Sequence, residues 1–389
     1  MALDFLKSIY EKKIALSEEI SFNPYYAEIS SALSQRIIID GKEFIDLGSN
    51  NYLGLADNDY VKQEVKRAVD AYGISMCGTP IATGAHILYN KAVDALNLYT
   101  GCEDGLIYPS CYQANAGLFQ SLITPRDCVI FDQYVHSSLL EGIKATGARY
   151  FQYTHNDCEN LRKRVQMLQK FENIFVVTES VFSTEGAVAP VKQIYCICSE
   201  YNATMVLDDS HGIGVLGKNG KGILEHTGIT PGKNLLYTAS LGKALAGLGG
   251  YIGGSPEAIQ ILRYLNPSLI YSTALPPHCL AGIIAALDIM NSDGDSIIQR
   301  LKSNKINIKQ ALVDKSYTTI DSDAPIISVL GGSDKDTLLF AKQLYHSSIL
   351  SIPFIWPSVA KNRGVIRMIP GAHLNDETVN TIVKRIKML

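Results

Sequence analysis

The chain has 389 residues, of which 47% are hydrophobic and 19% charged, with 31 Gly and 14 Pro. That balance fits a globular protein of two or three lobes at roughly 150 residues each, and it excludes collagen-like, coiled-coil and disordered architectures. The formal net charge of -3 offers no basic excess, so no general affinity for nucleic acid or anionic membrane is expected.

Eight cysteines, at 77, 102, 111, 128, 158, 196, 198 and 279, include no CxxC pair. They read as reduced thiols of a cytoplasmic protein, neither zinc ligands nor a disulfide framework, and no metal site is expected. The N-terminal MALDFLKSIYEKKIALSEEI carries charges throughout and has no apolar signal-peptide core. No run of roughly 18 apolar residues is free of charge or glycine, so no membrane span is expected.

In chain order, Leu3, Leu6, Ile9 and Leu16 share one face of an expected N-terminal helix over 3–16. RIIIDGKEFIDL (36–47) is a hairpin signal, two apolar runs around Asp40-Gly41, a dipeptide suited to a type I′ turn. SNNYLGL (49–55) follows. Strand-like runs then alternate with helix-length segments: GLIYPS (105–110), CVIFDQ (128–133), RYFQYTH (149–155), NIFVVTES (173–180), TMVLDDS (204–210) and NLLYTAS (234–240). GGYIGGS (249–255) comes too soon for an intervening helix, which points to an antiparallel strand. The alternation predicts a mostly parallel sheet covered on both faces by helices. After ALPPHC the texture changes: a helical run at 279–292 leads to short strands near 325–332 and 348–354, then to GVIRMIP and a closing helix. The expected organisation is an N-terminal helix and hairpin arm over 1–48, a large domain over 49–289 and a smaller α/β domain over 290–389.

Parallel sheets bind ligands at the carboxyl ends of their strands, and four of these ends carry reactive groups. They are Asp208, Asp209, Ser210 and His211; Glu179 and Ser183; Asp132 and His136; Ser240 and Lys243. A lone acidic strand end is usually structural, but four together are not. One lysine, one buried carboxylate, one histidine and a phosphate-binding turn are what pyridoxal phosphate (PLP) chemistry needs. Asp209 lies on the opposite side of an extended strand from Asp208 and reads as a structural pair or cap.

The blocks SNNYLGL, SCYQANAG, FDQYVHSSLLEG, TESVFSTEG, LDDSHGIGVLG and TASLGKALAGLGGYIGG resemble the α-oxoamine synthases, PLP-dependent enzymes of fold type I. The resemblance runs from about residue 24 to the C-terminus. It implies a mostly parallel seven-stranded sheet in the large domain and PLP as cofactor. Lys243 would form the Schiff base and move the Cα proton. Asp208 would pair with the ring nitrogen, His136 would stack on the ring, and Ser183 and His211 would lie near the phenolic oxygen. Ser240 and the backbone N–H groups of Cys111 and Tyr112 would hold the phosphate. Asn50 and Arg367 would grip the amino-acid carboxylate, and Ser272 and Thr273 would reach a phosphate in the neighbouring subunit of a homodimer. Cys111 stands where the family usually has glycine, Asp209 where glutamate is commoner, and Gly78-Thr79-Pro80 where Gly-Ser-Arg is common.

The implied reaction is C-acylation of a small amino acid by an acyl-CoA thioester, with release of CoA and, in most such enzymes, of CO2. HSSLLEG, THNDCENL and AKNRGVIR also look somewhat like the autoinducer-synthase branch, which makes long-chain aminoketones and hydroxyketones by the same steps. A PLP aminotransferase on the same fold is the alternative from another reaction class.

Overall fold

The computed structural model describes residues 15–389. Most of the expected N-terminal helix over 3–16 lies outside the described residues; residues 15–19 are helical. The chain divides into two compact units, one formed by the described residues up to Asn50, Thr184–Gly186 and Leu301–Leu389, the other by Asn51–Ser183 and Ala187–Arg300.

The larger unit is built on a seven-stranded sheet. Its strands are β3 (Asp104–Tyr108), β4 (Cys128–Asp132), β5 (Arg149–Tyr153), β6 (Ile174–Glu179), β7 (Thr204–Asp208), β8 (Leu235–Ser240) and β9 (Gly250–Gly254), in the order β3-β9-β8-β7-β6-β4-β5. The strands from β8 through β5 run parallel. β9 pairs antiparallel with β8 and β3, as the missing helix before it predicts. β4 and β6 are buried along their whole length, the mark of a strand covered on both faces.

Helices α1 (Asp59–Tyr72), α2 (Ile87–Thr100), α3 (Cys111–Leu122), α4 (Ser137–Ala145), α5 (Cys158–Met167), α6 (Val191–Glu200), α7 (Ile223–Thr227) and α8 (Pro256–Leu265) surround that sheet. One core cluster joins Leu118 and Phe119 of α3, Leu139 and Ile143 of α4, Ile259 and Leu262 of α8 and the strand residues Leu106, Val129, Phe131, Val177, Val206, Leu236 and Ile252. At about 25 cal/mol per Å² of apolar surface removed from water, such a cluster is what holds each strand end in place.

Helix α9 (Pro277–Asp314) runs 38 residues without a break. It passes through Gly294, where a Cβ would lie 2.7 Å from the Asn219 carbonyl oxygen, so glycine there serves close packing.

In the other unit, β1 (Arg36–Ile39) and β2 (Lys42–Asp46) form the expected hairpin. Asp40 and Gly41 have φ of 49° and 72°, the pair of positive values a type I′ turn requires. β11 (Ile349–Leu350) adds to β2 in parallel. β10 (Ile327–Gly332), β13 (Gly364–Met368) and β12 (Ile352–Phe354) make a second antiparallel sheet. Helices α10 (Asp334–His346) and α11 (Asp376–Lys387) contribute Leu344, Ile382 and Ile386 to a core with Ile327, Val329, Ile366 and Met368.

Candidate active site

The carboxyl ends of β6, β7 and β8 lie side by side, because Glu179 is in register with Asp208 and Asp208 with Thr238. Asp208 is buried and its charge is met by directed hydrogen bonds. Oδ2 accepts from Asn115 Nδ2 at 2.7 Å and Oδ1 accepts from the Ser210 N–H at 2.9 Å. Asn115 sits mid-helix in α3, an unfavourable place for asparagine unless its amide has work. It also donates to Ser138 Oγ at 3.0 Å. That hydroxyl lies 2.8 Å from His136 Nδ1, so Asp208, Asn115, Ser138 and His136 form one connected network.

His136 caps α4, its ring nitrogen accepting the Ser138 N–H. Its own N–H donates to Glu179 Oε1 at 2.5 Å. His136 is exposed as a residue. Even so, the surrounding protein pulls its pKa below the ordinary value through desolvation and the charge of Lys243, against the opposing pull of Asp208. Glu179 is held well above the usual carboxylate range by burial and then by the negative charge of Asp208, with Lys243 and the His136 N–H acting the other way. The strand ends are thus rich in buried carboxyl groups, an environment that favours an added cation.

Lys243 follows β8, and its Nζ lies 2.7 Å from His211 Nε2. The other ring nitrogen of His211, Nδ1, lies 2.8 Å from the Tyr52 hydroxyl. Both Tyr52 and His211 are buried. The lysine loop is tight: the Ala246 and Gly247 N–H groups donate to the carbonyls of Lys243 and Leu241, and Ala246 takes a φ of 49°. That left-handed value is uncommon for a residue with a Cβ.

Asp209 points away from Asp208 and does structural work. Its Oδ2 accepts from the Tyr237 hydroxyl at 2.8 Å and from the Ile223 N–H at 3.0 Å, pinning the loop that carries His211. Burial pushes its carboxyl up to about 7. Gly222, at φ 94°, passes so close to Asp209 Oδ2 that a Cβ would overlap it; glycine is therefore required there on two counts.

Helix α3 begins at Cys111, with Ser110 as N-cap accepting the Gln113 N–H at 3.1 Å. The first N–H groups of a helix have no intrahelical acceptor and mark the positive end of its dipole. Cys111 and Tyr112 supply two of these here. Cys111 is not among the residues with positive φ, so its side chain adds no backbone strain. Its thiol sits 3.3 Å from Ser210 Oγ and is pushed up in pKa, by burial first and by Asp208 next. A Cβ on Gly250 of β9 would lie 2.6 Å from the Cys111 nitrogen and 2.8 Å from the Ser110 carbonyl oxygen. Glycine at 250 lets the sheet and the helix start meet.

The remaining sequence-predicted positions are placed as follows. Ser240 ends β8 and its Oγ accepts the Gly242 N–H at 3.4 Å. Ser183 is half-buried in the turn after β6. Ser272 Oγ accepts from Gln113 Nε2 of the same chain at 3.2 Å, and Thr273 is exposed. Asn50 and Arg367 belong to the other unit. There Asn50 Oδ1 is buried without a hydrogen-bond partner among the described residues, and Arg367 on β13 places its guanidinium 5.0 Å from the Phe354 ring centroid. Tyr52, Asn115 and Ser138 lay inside the sequence blocks without an assigned role. The one signal for Asn115 was a polar residue mid-helix.

Among the described residues no group of His, Cys, Asp and Glu could hold a metal ion, and no helix is long and apolar enough to cross a membrane.

A family model described as aminotransferase class I and II matches residues 42–386. The 8-amino-7-oxononanoate synthase of Thermoanaerobacter pseudethanolicus is 30% identical over 385 residues, covering 98% of this chain and 95% of that protein. The serine palmitoyltransferase of Bacteriovorax stolpii is 28% identical over 362 residues, covering 92% and 86%. Among solved structures, the Sphingomonas wittichii serine palmitoyltransferase superposes with a TM-score of 0.94 at 24% identity, over 100% of this chain and 98% of that one. That last likeness concerns the fold. The chain belongs to the aminotransferase class I and II family, in its α-oxoamine synthase branch.

Proposed function

We propose that this protein is a PLP-dependent acyltransferase that joins an acyl thioester, acyl-CoA by preference, to the Cα of a small amino acid. The observation that carries this reading is the convergence of Lys243, His211, Asp208 and His136 on neighbouring strand ends beside the start of α3. The donor set fits the cofactor. A buried carboxylate already oriented by Asn115 and Ser210 suits a ring N–H cation. The helix start, with Ser240, suits a phosphate dianion.

When bound, pyridoxal phosphate supplies an aldehyde that captures the amino nitrogen and a ring that takes up the electron pair left at Cα. The chain's own residues do the rest. Asp208 would accept the ring N–H, and the N–H groups of Cys111 and Tyr112 would hold the phosphate with Ser240. His136 would pack on the ring face, Ser183 and His211 would address its oxygen, and Lys243 Nζ would remove and return the Cα proton. Asn50 and Arg367 bind the amino-acid carboxylate, arginine being suited to a bidentate grip. Cα would then attack the thioester carbonyl carbon, forming the new C–C bond while the C–S bond breaks and the sulfur leaves as thiolate to be protonated; loss of CO2 would give an α-aminoketone.

A homodimer belongs to the same reading, with Ser272 and Thr273 reaching the phosphate site of the partner subunit. Ile74, Ile81, Tyr264, Leu265 and Tyr271 are large apolar side chains left exposed in one chain, the kind of surface a second copy covers. We further place the protein in the cytoplasm, on its reduced cysteines. The expected domain limits, 1–48, 49–289 and 290–389, remain part of this proposal.

The test is free-thiol release by PLP-loaded protein, crossing glycine, alanine, serine and S-adenosylmethionine with acyl-CoAs from acetyl to palmitoyl. Release that depends on the amino acid supports the reading and names both substrates; a long chain with an unusual amino donor would assign the autoinducer branch. Absence of release, with amino-group transfer to a keto acid instead, would make the protein an aminotransferase.

A further inference from the structure

We infer that Tyr52 is a positioning residue for the proposed reaction: its hydroxyl holds His211 by Nδ1, so that Nε2 faces Lys243 and exchanges a proton with it in the chain without cofactor, and faces the cofactor's oxygen once that is bound. The geometry is a line of two short contacts, 2.8 Å from the Tyr52 hydroxyl to Nδ1 and 2.7 Å from Nε2 to Lys243 Nζ. The Tyr52 and His211 rings meet edge to face, 6.2 Å between centroids, and both side chains are buried. A buried neutral imidazole has one N–H and one lone pair, so what one nitrogen does dictates what the other can do.

Two arrangements satisfy both contacts. With Lys243 as an ammonium, one of its N–H groups donates to Nε2, the ring proton sits on Nδ1, and that N–H donates to the tyrosine oxygen. With Lys243 as an amine, its proton has passed to Nε2 and the Nδ1 proton to the tyrosine oxygen, whose original proton leaves to solvent or substrate, and Nε2–H now donates to the lysine nitrogen lone pair. The tyrosine O–H then turns to donate to Nδ1. A hydroxyl can serve as acceptor in the first arrangement and donor in the second, so His211 changes tautomer without leaving its place. Phenylalanine at 52 would remove this hydrogen bond in either arrangement.

Other titratable groups face this line from the neighbouring elements. His136, before α4, Glu179 of β6 and Cys111 of α3 all feel the charge of Lys243, and Asp208 of β7 acts on the same three. They bias which arrangement prevails at a given pH. The bond partners of Nδ1 and Nε2 decide what each arrangement looks like.

The inference rests on the proposed function only for what the proton exchange serves. Its test uses full-length protein without cofactor, labelled with ¹⁵N-histidine and titrated by NMR, with His211→Gln assigning the His211 signals. The wild-type ring should pass from the Nδ1–H to the Nε2–H tautomer as pH rises. In Tyr52→Phe that transition should be lost or replaced by a mixture at all pH values. Capture of added pyridoxal phosphate, followed by absorbance, should slow about tenfold, the factor commanded by one ordinary hydrogen bond. A wild-type ring that keeps one tautomer throughout would overturn the inference, as would a Tyr52→Phe protein matching wild type in both readouts. The wild-type titration decides the matter even if the variant folds poorly. A wild-type protein that shows the transition yet releases no thiol would sink the proposed function and leave this inference standing.

Discussion

Asp209→Asn tests whether the loop carrying His211 is anchored by a protonated carboxyl group. Asp209 is fully buried, with Tyr237 and Ile223 donating to Oδ2. Its Oδ1 and the nearby Ser180 Oγ are both buried without a hydrogen bond of ordinary geometry among the described residues. Burial raises its pKa from 3.8 to about 7. A carboxyl raised in the folded state keeps its proton while the unfolded chain gives it up, so stability is greatest at low pH and is lost as pH rises from about 4 to about 7. At 1.36 kcal/mol per unit the whole effect is about 4 kcal/mol, of which about 3 kcal/mol falls between pH 5 and pH 8. Asparagine keeps an oxygen for Tyr237 and Ile223, offers an N–H to Ser180, and does not titrate. Urea unfolding of both proteins across that range is the assay, read as the difference between them. The difference should move toward the asparagine variant by about 3 kcal/mol as pH rises. Curves that stay parallel within about 0.5 kcal/mol, the usual scatter for a neutral change, would refute the reasoning, because Asp209 would then be ionised throughout.

Gly250→Ala should cost about 1–3 kcal/mol by overpacking and weaken cofactor binding at least about tenfold, since the added Cβ meets backbone atoms of Ser110 and Cys111 rather than a movable side chain. Gly41→Ala, at φ 72° with nothing within 4 Å, should cost about 1 kcal/mol and leave cofactor affinity unchanged; equal affinities in the two variants would contradict the account. On α6, Cys196 is exposed and Cys198 buried, so brief alkylation of folded protein followed by mass mapping should label the first and spare the second. Arg367→Ala should raise KM for the amino acid by roughly tenfold or more, the loss of a charged hydrogen-bonded contact, and change KM for the thioester little; equal increases would make Arg367 structural.

The parallel sheet was legible because its strands are short apolar runs, separated by helix-length segments and ended by polar residues. β9 was legible as antiparallel because no helix fits before it, and Asp40-Gly41 announced its own turn. Lys243, Asp208, His136 and His211 stood out as reactive groups at strand ends. Tyr52 and Asn115 did not, because each acts on a residue far along the chain. Tyr52 meets His211 159 positions later, and Asn115 meets Asp208 93 positions later. Such meetings are made by tertiary packing and leave no trace in local spacing. The uninterrupted α9 was hidden for a related reason: Asn291-Ser292-Asp293-Gly294 reads as a helix stop, yet the close approach of Asn219 makes glycine at 294 a packing requirement. Cys111 is the reverse case, a departure from its family's usual glycine that costs nothing, because the chain there enters a helix with ordinary backbone angles.

The central claim is that Lys243 is the residue joined to the cofactor and moving the proton. Borohydride reduction of the pyridoxal-phosphate-loaded protein, then proteolysis and mass mapping, tests it most directly. The account predicts a single phosphopyridoxyl adduct on the peptide carrying Lys243, and neither adduct nor turnover in Lys243→Ala. An adduct on another lysine, or turnover retained by Lys243→Ala, would contradict it.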